Sequence, residues 1–94
     1  MRPLTLDDSV RVSADVVHRL IGEETVLLNL ETGHYYGLDP VGSRIWELLS
    51  EHGSLATAFE TLSAEFEVAP EQLRQDLILL TQELCDKRLV EPLA

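Results

Sequence analysis

TVLLNLETGHYYGL, residues 25–38, is the stretch that decides the fold. Two runs of apolar, β-branched and aromatic residues, 25–30 and 34–38, flank a three-residue connection, Glu31-Thr32-Gly33. Such runs favour strands, and the glycine of the connection can adopt the left-handed αL conformation that short hairpin loops require. The segment therefore predicts a β-hairpin.

Further strands are predicted before the hairpin. Val10 and Val12 alternate with polar neighbours, residues 16–21 form a second extended piece, and Gly22-Glu23-Glu24 has the composition of a turn. Alternation with a period of two is typical of a strand that is buried on one face. The segment from about residue 9 to about residue 38 is thus expected to form a β-hairpin or a three-stranded antiparallel sheet.

Three helices are predicted after the hairpin, over about residues 40–51, 55–66 and 70–88. Asp39-Pro40 supplies an N-cap acceptor followed by proline at the first helical position, Ser54 can cap the second helix, and Pro70 opens the third. Each segment carries apolar residues at helical spacing; in the third they are Leu73, Leu77, Leu80 and Leu84. The predicted fold class is α+β, in one domain spanning residues 1–94.

The composition disfavours several classes of function. The formal net charge is −10, from 17 acidic and 7 basic residues, so the chain repels phosphate backbones and anionic membranes. No stretch approaches the ~20 apolar residues that span a bilayer, and residues 1–8 lack the apolar run of a signal peptide. Cys85 is the only cysteine, which excludes an internal disulfide. We expect a cytoplasmic protein that binds neither nucleic acid nor membrane.

The pattern of reactive residues does not indicate an enzyme. His18, His34 and His52 fall in different segments without metal-ligand spacing, and no serine lies in a G-x-S-x-G motif. Cys85 lies beside the leucine stripe, where a free cysteine behaves as a small core residue, and Trp46 follows helical core spacing. We expect no catalytic residue, no metal and no cofactor.

The strand over residues 34–38 has an unpaired edge if it is the last strand of the sheet. It carries neither lysine nor internal proline, the usual protective residues, and a helix follows it directly. An added strand could therefore use this edge. Tyr35 and Tyr36 point to opposite faces, so that one can pack inward while the other stays available, although ordinary strand aromatics explain them equally well.

The third helix offers a second wall for such a site. If it runs beside the open edge, Leu79 and Leu80 form the floor of a groove, and Asp76 and Glu83 offer charge to a basic peptide. The alternative is a solvated acidic face with one stray leucine. These features favour a binding module that captures an extended peptide.

Residues 27–39, LLNLETGHYYGLD, followed by G-x-x-I-W-E-L-L over 42–49, closely resemble the PqqD-like family of precursor-peptide recognition elements. The similarity continues through Pro70-Glu71, Asp76 and Leu84 and ends at residues 88–90. It implies a winged-helix-like domain in which a leader peptide adds as a strand beside the third strand, against the third helix.

Within that family, the segment is more similar to the stand-alone leader-binding protein of lasso-peptide pathways. There a leader peptidase and a cyclase complete maturation. The resemblance places peptide contacts on the strand and on the third helix, at His34, Tyr35, Tyr36, Gly37, Leu38, Asp76, Leu77, Leu80 and Glu83.

Two other interpretations stay open. One is a PqqD-type peptide chaperone for a radical-SAM enzyme. The other is a winged-helix DNA-binding regulator, but its recognition helix should be basic, and the third helix contains Asp76, Glu83 and Asp86. Open strand edges also permit a homodimer.

Overall fold

Two small antiparallel sheets and three helices make up residues 3–93, which this computed structural model describes. The central sheet has three strands in the order β2-β3-β4, and the second sheet pairs β1 with β5. In chain order the elements are β1 (Val10–Val12), β2 (Val16–Ile21), β3 (Glu24–Asn29), β4 (Tyr35–Leu38), α1 (Pro40–His52), α2 (Leu55–Glu65), α3 (Pro70–Asp86) and β5 (Val90–Pro92). The predicted α+β class and the three-stranded sheet are confirmed.

Both hairpins of the central sheet turn at a glycine with positive φ. Gly33, φ 78°, adopts the conformation expected between β3 and β4, and Gly22, φ 65°, turns the chain between β2 and β3. Glu24 was predicted to lie in that turn, but it pairs with Ile21 and begins β3. A two-residue turn has the twist that joins two strands with least distortion, so the extra residue joins the strand.

The short sheet β1–β5 was not predicted, because residues 89–92 carry no local strand pattern. Val12 pairs with Val90 and Val10 with Pro92, so the two ends of the domain are joined. The third helix ends two residues before the predicted limit of about residue 88. Arg88 has φ 59°, a left-handed conformation that ends α3 at Asp86 and redirects the chain into β5.

The caps predicted for the first two helices are present. Asp39 Oδ1 accepts a hydrogen bond from the Gly42 N–H at 2.7 Å, and Ser54 Oγ accepts one from the Thr57 N–H at 3.2 Å. Gly53 ends α1 with φ 74°, and a Cβ there would lie 2.5 Å from the Val10 carbonyl oxygen. Only glycine fits where β1 crosses this helix end.

The core lies between the central sheet and the three helices. Leu27, Trp46, Leu77 and Leu84 are among its buried members, and Phe59 and Phe66 pack against it partly exposed. Cys85 also packs against the core, and burial, followed by the nearby Asp86 carboxylate, raises the pKa of its thiol. Within residues 3–93, no helix has the length and apolar character needed to cross a bilayer.

Candidate functional site

The outer side of β4 presents unpaired backbone groups. The Asn29 N–H donates to the His34 carbonyl oxygen at 3.0 Å, which makes this pair a hydrogen-bonded one. Because bonded and non-bonded pairs alternate along antiparallel strands, Tyr36 and Leu38 also bond to β3, whereas Tyr35 and Gly37 direct N–H and C=O outward. No strand of residues 3–93 pairs with this side.

The side chains of β4 alternate between two environments. Leu38, 4% exposed, and Tyr36, partly buried, lie on the inner face of the sheet, as Leu27 does. Tyr35 lies on the outer face and is 73% exposed. The sequence left open which tyrosine packs inward, and the structure assigns that position to Tyr36.

A groove runs between β4 and α3, and it has two halves. The lower half, a cavity of about 510 Å³, also borders the start of α1; it is lined by Tyr36, Gly37, Leu38, Asp39, Val41, Gly42, Ile45, Asp76 and Leu80. The upper half, about 460 Å³, lies at the C-terminal end of α3; it is lined by Asn29, Thr32, His34, Tyr35, Tyr36, Asp86, Lys87, Arg88 and Leu89. We call the two halves together the β4 groove.

Tyr36 lines both halves of the groove, and its side chain is hydrogen-bonded to α3 on the opposite side. Its hydroxyl donates to Glu83 Oε2 at 2.5 Å, and Lys87 Nζ lies 5.3 Å from the centre of its ring. The hydrogen bond to the Glu83 carboxylate, with burial and the carboxylate charge, raises the pKa of Tyr36 to about 12. This bridge holds β4 and α3 together at the middle of the groove.

The two halves of the β4 groove differ in charge. Asp39 and Asp76 contribute carboxylates to the lower half, around the apolar side chains of Leu38, Val41 and Leu80. The upper half combines Asp86 with Lys87 and Arg88. A basic side chain therefore fits the lower half better than an acidic one.

The predicted site residues fall into three groups. His34, Tyr35, Tyr36, Gly37, Leu38, Asp76 and Leu80 line the groove, and Glu83 holds Tyr36 across it. Leu77 does not belong to this surface, because it is fully buried in the core. Leu79, expected in the floor, is 64% exposed and lines neither half.

Val41, Lys87 and Arg88 are among the lining residues that were not predicted as contacts. Val41 could have been found, because Asp39-Pro40 starts a helix directly after β4 and so brings its first turn to the end of the groove. Lys87 and Arg88 reach the upper half only because α3 ends at Asp86, which the sequence pattern did not predict.

The family model described as coenzyme PQQ synthesis protein D (PqqD) matches residues 24–90. The chain belongs to the PqqD family. The matched region of this PqqD-family chain begins at the first residue of β3 and ends at the first residue of β5, so it contains both walls of the β4 groove.

Two solved structures resemble this PqqD-family protein. "TbiB1 in complex with the TbiA(beta) leader peptide" is 40% identical, with a TM-score of 0.84 over 89% of this chain and 98% of that one. "Lasso peptide synthetase B1 complexed with the leader peptide" is 23% identical, with a TM-score of 0.81 over 89% and 99%, and shows the same fold. No curated protein matches the chain.

Proposed function

We propose that this protein binds the leader segment of a ribosomally made precursor peptide in lasso-peptide biosynthesis. One observation carries the proposal: a protein 40% identical over 89% of this chain was solved in complex with a leader peptide. The unpaired edge of β4, flanked by a groove, gives a physical means of binding an extended peptide here.

The binding mode that fits this edge is strand addition. Tyr35 and Gly37 each offer an N–H and a C=O to an added strand, and these main-chain bonds supply affinity without regard to sequence. Alternate side chains of the added strand then face the groove, where Leu38, Val41 and Leu80 form an apolar surface beside Asp76. Specificity comes from these side-chain contacts.

We infer that the protein presents the bound leader to other proteins and does not itself break or form bonds. Its cysteine has a raised pKa, which disfavours the reactive thiolate. The chemical steps then belong to a leader peptidase and a cyclase of the same pathway. The single cysteine cannot form an internal disulfide, and this supports a reducing, cytoplasmic location.

A second function is favoured by the description of the matching family model, coenzyme PQQ synthesis protein D. The family resemblance implies for such a protein the role of a peptide chaperone for a radical-SAM enzyme, with the same groove and another precursor. A DNA-binding regulator has less support, because the groove wall of α3 contains Asp76, Glu83 and Asp86.

The proposal is tested by titrating the purified protein with a fluorescently labelled synthetic leader from the neighbouring lasso precursor gene. Binding is read by anisotropy, and a scrambled leader serves as control. We expect a dissociation constant of about 1 μM or below for the native leader alone. Equal binding of both peptides, or of neither, contradicts leader recognition.

A further inference from the structure

The central sheet has a second open edge, on β2. The Leu30 N–H donates to the Asp15 carbonyl oxygen at 2.7 Å, which makes that pair a hydrogen-bonded one. By alternation Val17, Arg19 and Ile21 bond to β3, whereas His18 and Leu20 direct N–H and C=O to the free side. Among the strands within residues 3–93, none pairs with that side, and β2 carries neither lysine nor proline to protect it.

A groove of about 540 Å³ accompanies this edge, between β2 and α1. We call it the β2 groove. Leu20, 63% exposed, is its apolar rim, and Trp46, 2% exposed, belongs to its lining. The His18 ring stands edge-on to the Trp46 ring at 6.0 Å, so a free backbone edge and a buried aromatic lie side by side.

Trp46 has an unmet hydrogen-bonding requirement. Its Nε1–H is buried and finds no acceptor among residues 3–93. Buried indole N–H groups are nearly always paired, because an unpaired one has lost its hydration without gaining an acceptor. A carbonyl or hydroxyl oxygen of a bound segment would meet this requirement.

The charges around the β2 groove define what it can bind. Glu23, Glu47 and Glu51 line it. Among the lining residues within 3–93, Arg44 is the only lysine or arginine, and His18 is positively charged only when it is protonated. Arg44 is already engaged, since its Nη2 lies 2.5 Å from Glu65 Oε2 and its Nη1 contacts Glu47. The lining therefore has an excess of carboxylates and favours a basic occupant.

We propose that the β2 groove binds a basic, extended segment of the enzyme that processes the captured precursor, by strand addition to β2. This inference rests on the proposed function. The leader on β4 and the enzyme segment on β2 would then be the two outer strands of one five-stranded sheet. Four strand spacings would separate them, a distance of about 19 Å. A second copy of this chain is disfavoured, because each copy carries a formal charge of −10.

The first test uses Leu20→Pro, with the purified leader peptidase of the same pathway as probe. The Leu20 N–H faces the free side, so the substitution spares β2–β3 pairing and blocks an added strand. We expect peptidase affinity to fall about tenfold or more, because the Leu20 N–H donor is lost and the proline ring obstructs the added strand, with leader affinity unchanged. Leu20→Ala, which keeps the N–H, separates the backbone effect from loss of the side chain.

The second test is hydrogen exchange of the protein with and without the peptidase. Strand addition predicts new protection of the His18 and Leu20 amides, with no change at Arg19, whose N–H is already bonded to β3. Glu23→Lys with Glu51→Lys should weaken the complex, whereas Glu60→Lys, an exposed substitution on α2, should not.

The outcomes separate this inference from the proposed function. Leader binding without peptidase binding, or peptidase binding that Leu20→Pro leaves intact, overturns the β2 groove proposal alone. Failure of the wild-type protein to bind leader overturns the proposed function, while the exchange pattern still decides the β2 groove. A wild-type dimer in sedimentation that Leu20→Pro dissociates would assign the groove to a second copy and contradict the proposal.

Discussion

The two open edges of the central sheet, β4 and β2, expose the same pattern of backbone groups but are flanked by different side chains. Each directs the N–H and C=O of two residues outward, Tyr35 and Gly37 on β4, His18 and Leu20 on β2. On β4 the inward side chains are held, since Leu38 is buried and Tyr36 is bonded to Glu83 on α3. On β2, His18 and Leu20 stay exposed beside Trp46. The unpaired backbone groups allow both edges to bind a further strand. The side chains that flank each edge decide which peptide sequences it can select.

Gly37→Pro is expected to cause the largest change at the β4 edge. The Gly37 N–H faces the free side of β4, and a Cβ there meets nothing within 4 Å, so the hairpin should still form. We expect leader binding to weaken about 10²-fold, because the Gly37 N–H is lost and the leader carbonyl that would accept from it stays unpaired. Anisotropy measures the affinity, and circular dichroism checks the fold.

Tyr36→Pro is the matched contrast to Gly37→Pro. The Tyr36 N–H bonds to β3, so proline at that position should disrupt the hairpin itself and lower the thermal midpoint. If Gly37→Pro binds the leader as the wild type does, peptide addition to β4 is wrong.

Leu77→Ala tests the assignment of α3 side chains to core or groove. Leu77 is fully buried, so its truncation should lower the free energy of unfolding by about 2–5 kcal/mol and the Tm by roughly 10–30 °C. Leader affinity, measured where the variant is folded, should stay close to the wild-type value. Leu79→Ala, at an exposed position, should change stability by no more than about 0.5 kcal/mol. A large loss of affinity with little loss of stability would return Leu77 to the groove.

Leu80→Asp sharpens the description of the β4 groove floor. A carboxylate at position 80, beside Leu38 and Val41, should weaken leader binding by about 10–100-fold, because it must be desolvated beneath the peptide. Leu79→Asp makes the same change of charge one residue earlier, outside the lining, and should alter the affinity by about twofold at most. Equal effects of the two variants would point to net charge as the cause.

The smallest expected effect is a change in titration of Tyr36. The Glu83 carboxylate raises the pKa of Tyr36 to about 12 by stabilising the neutral phenol. The bridge therefore stabilises the fold fully below the unfolded-state pKa of about 10, and this contribution is lost as pH rises through about 12. Tyr35→Phe leaves Tyr36 as the only tyrosine, so absorbance at alkaline pH measures it directly. Adding Glu83→Gln should lower the midpoint; an unchanged midpoint contradicts the bridge.

The sequence predicted the features that depend on near neighbours. The strand pair over residues 25–38, the αL glycine at Gly33 and the helix starts at Asp39-Pro40, Ser54 and Pro70 are fixed by residues within four positions. The family resemblance, carried by residues 27–49, pointed to leader binding. Asp76 and Leu80, which line the groove, were expected on adjacent stripes of α3 beside the open edge, and the family resemblance also pointed to them.

The sequence failed where distant segments decide the outcome. Leu77, Leu79 and Leu80 lie within four positions on one helix. Composition cannot predict that Leu77 is buried, that Leu79 is exposed and that Leu80 lines the groove. Their roles depend on the angle at which α3 meets the sheet. The end of α3 was missed because Arg88 adopts there the left-handed conformation that is usual for glycine, and the strand that follows pairs with β1, about 80 residues earlier.

The sequence by itself thus determined the local elements, the acidic character and the family of this protein. Only the tertiary structure decided that Tyr36 packs inward and bonds Glu83, that β1 closes on β5, and that β2 is a second open edge beside the unpaired N–H of Trp46. The physical reason is the range of the interactions. Caps and turns are satisfied within one turn of chain, whereas an edge is open or covered according to what packs there from elsewhere in the fold.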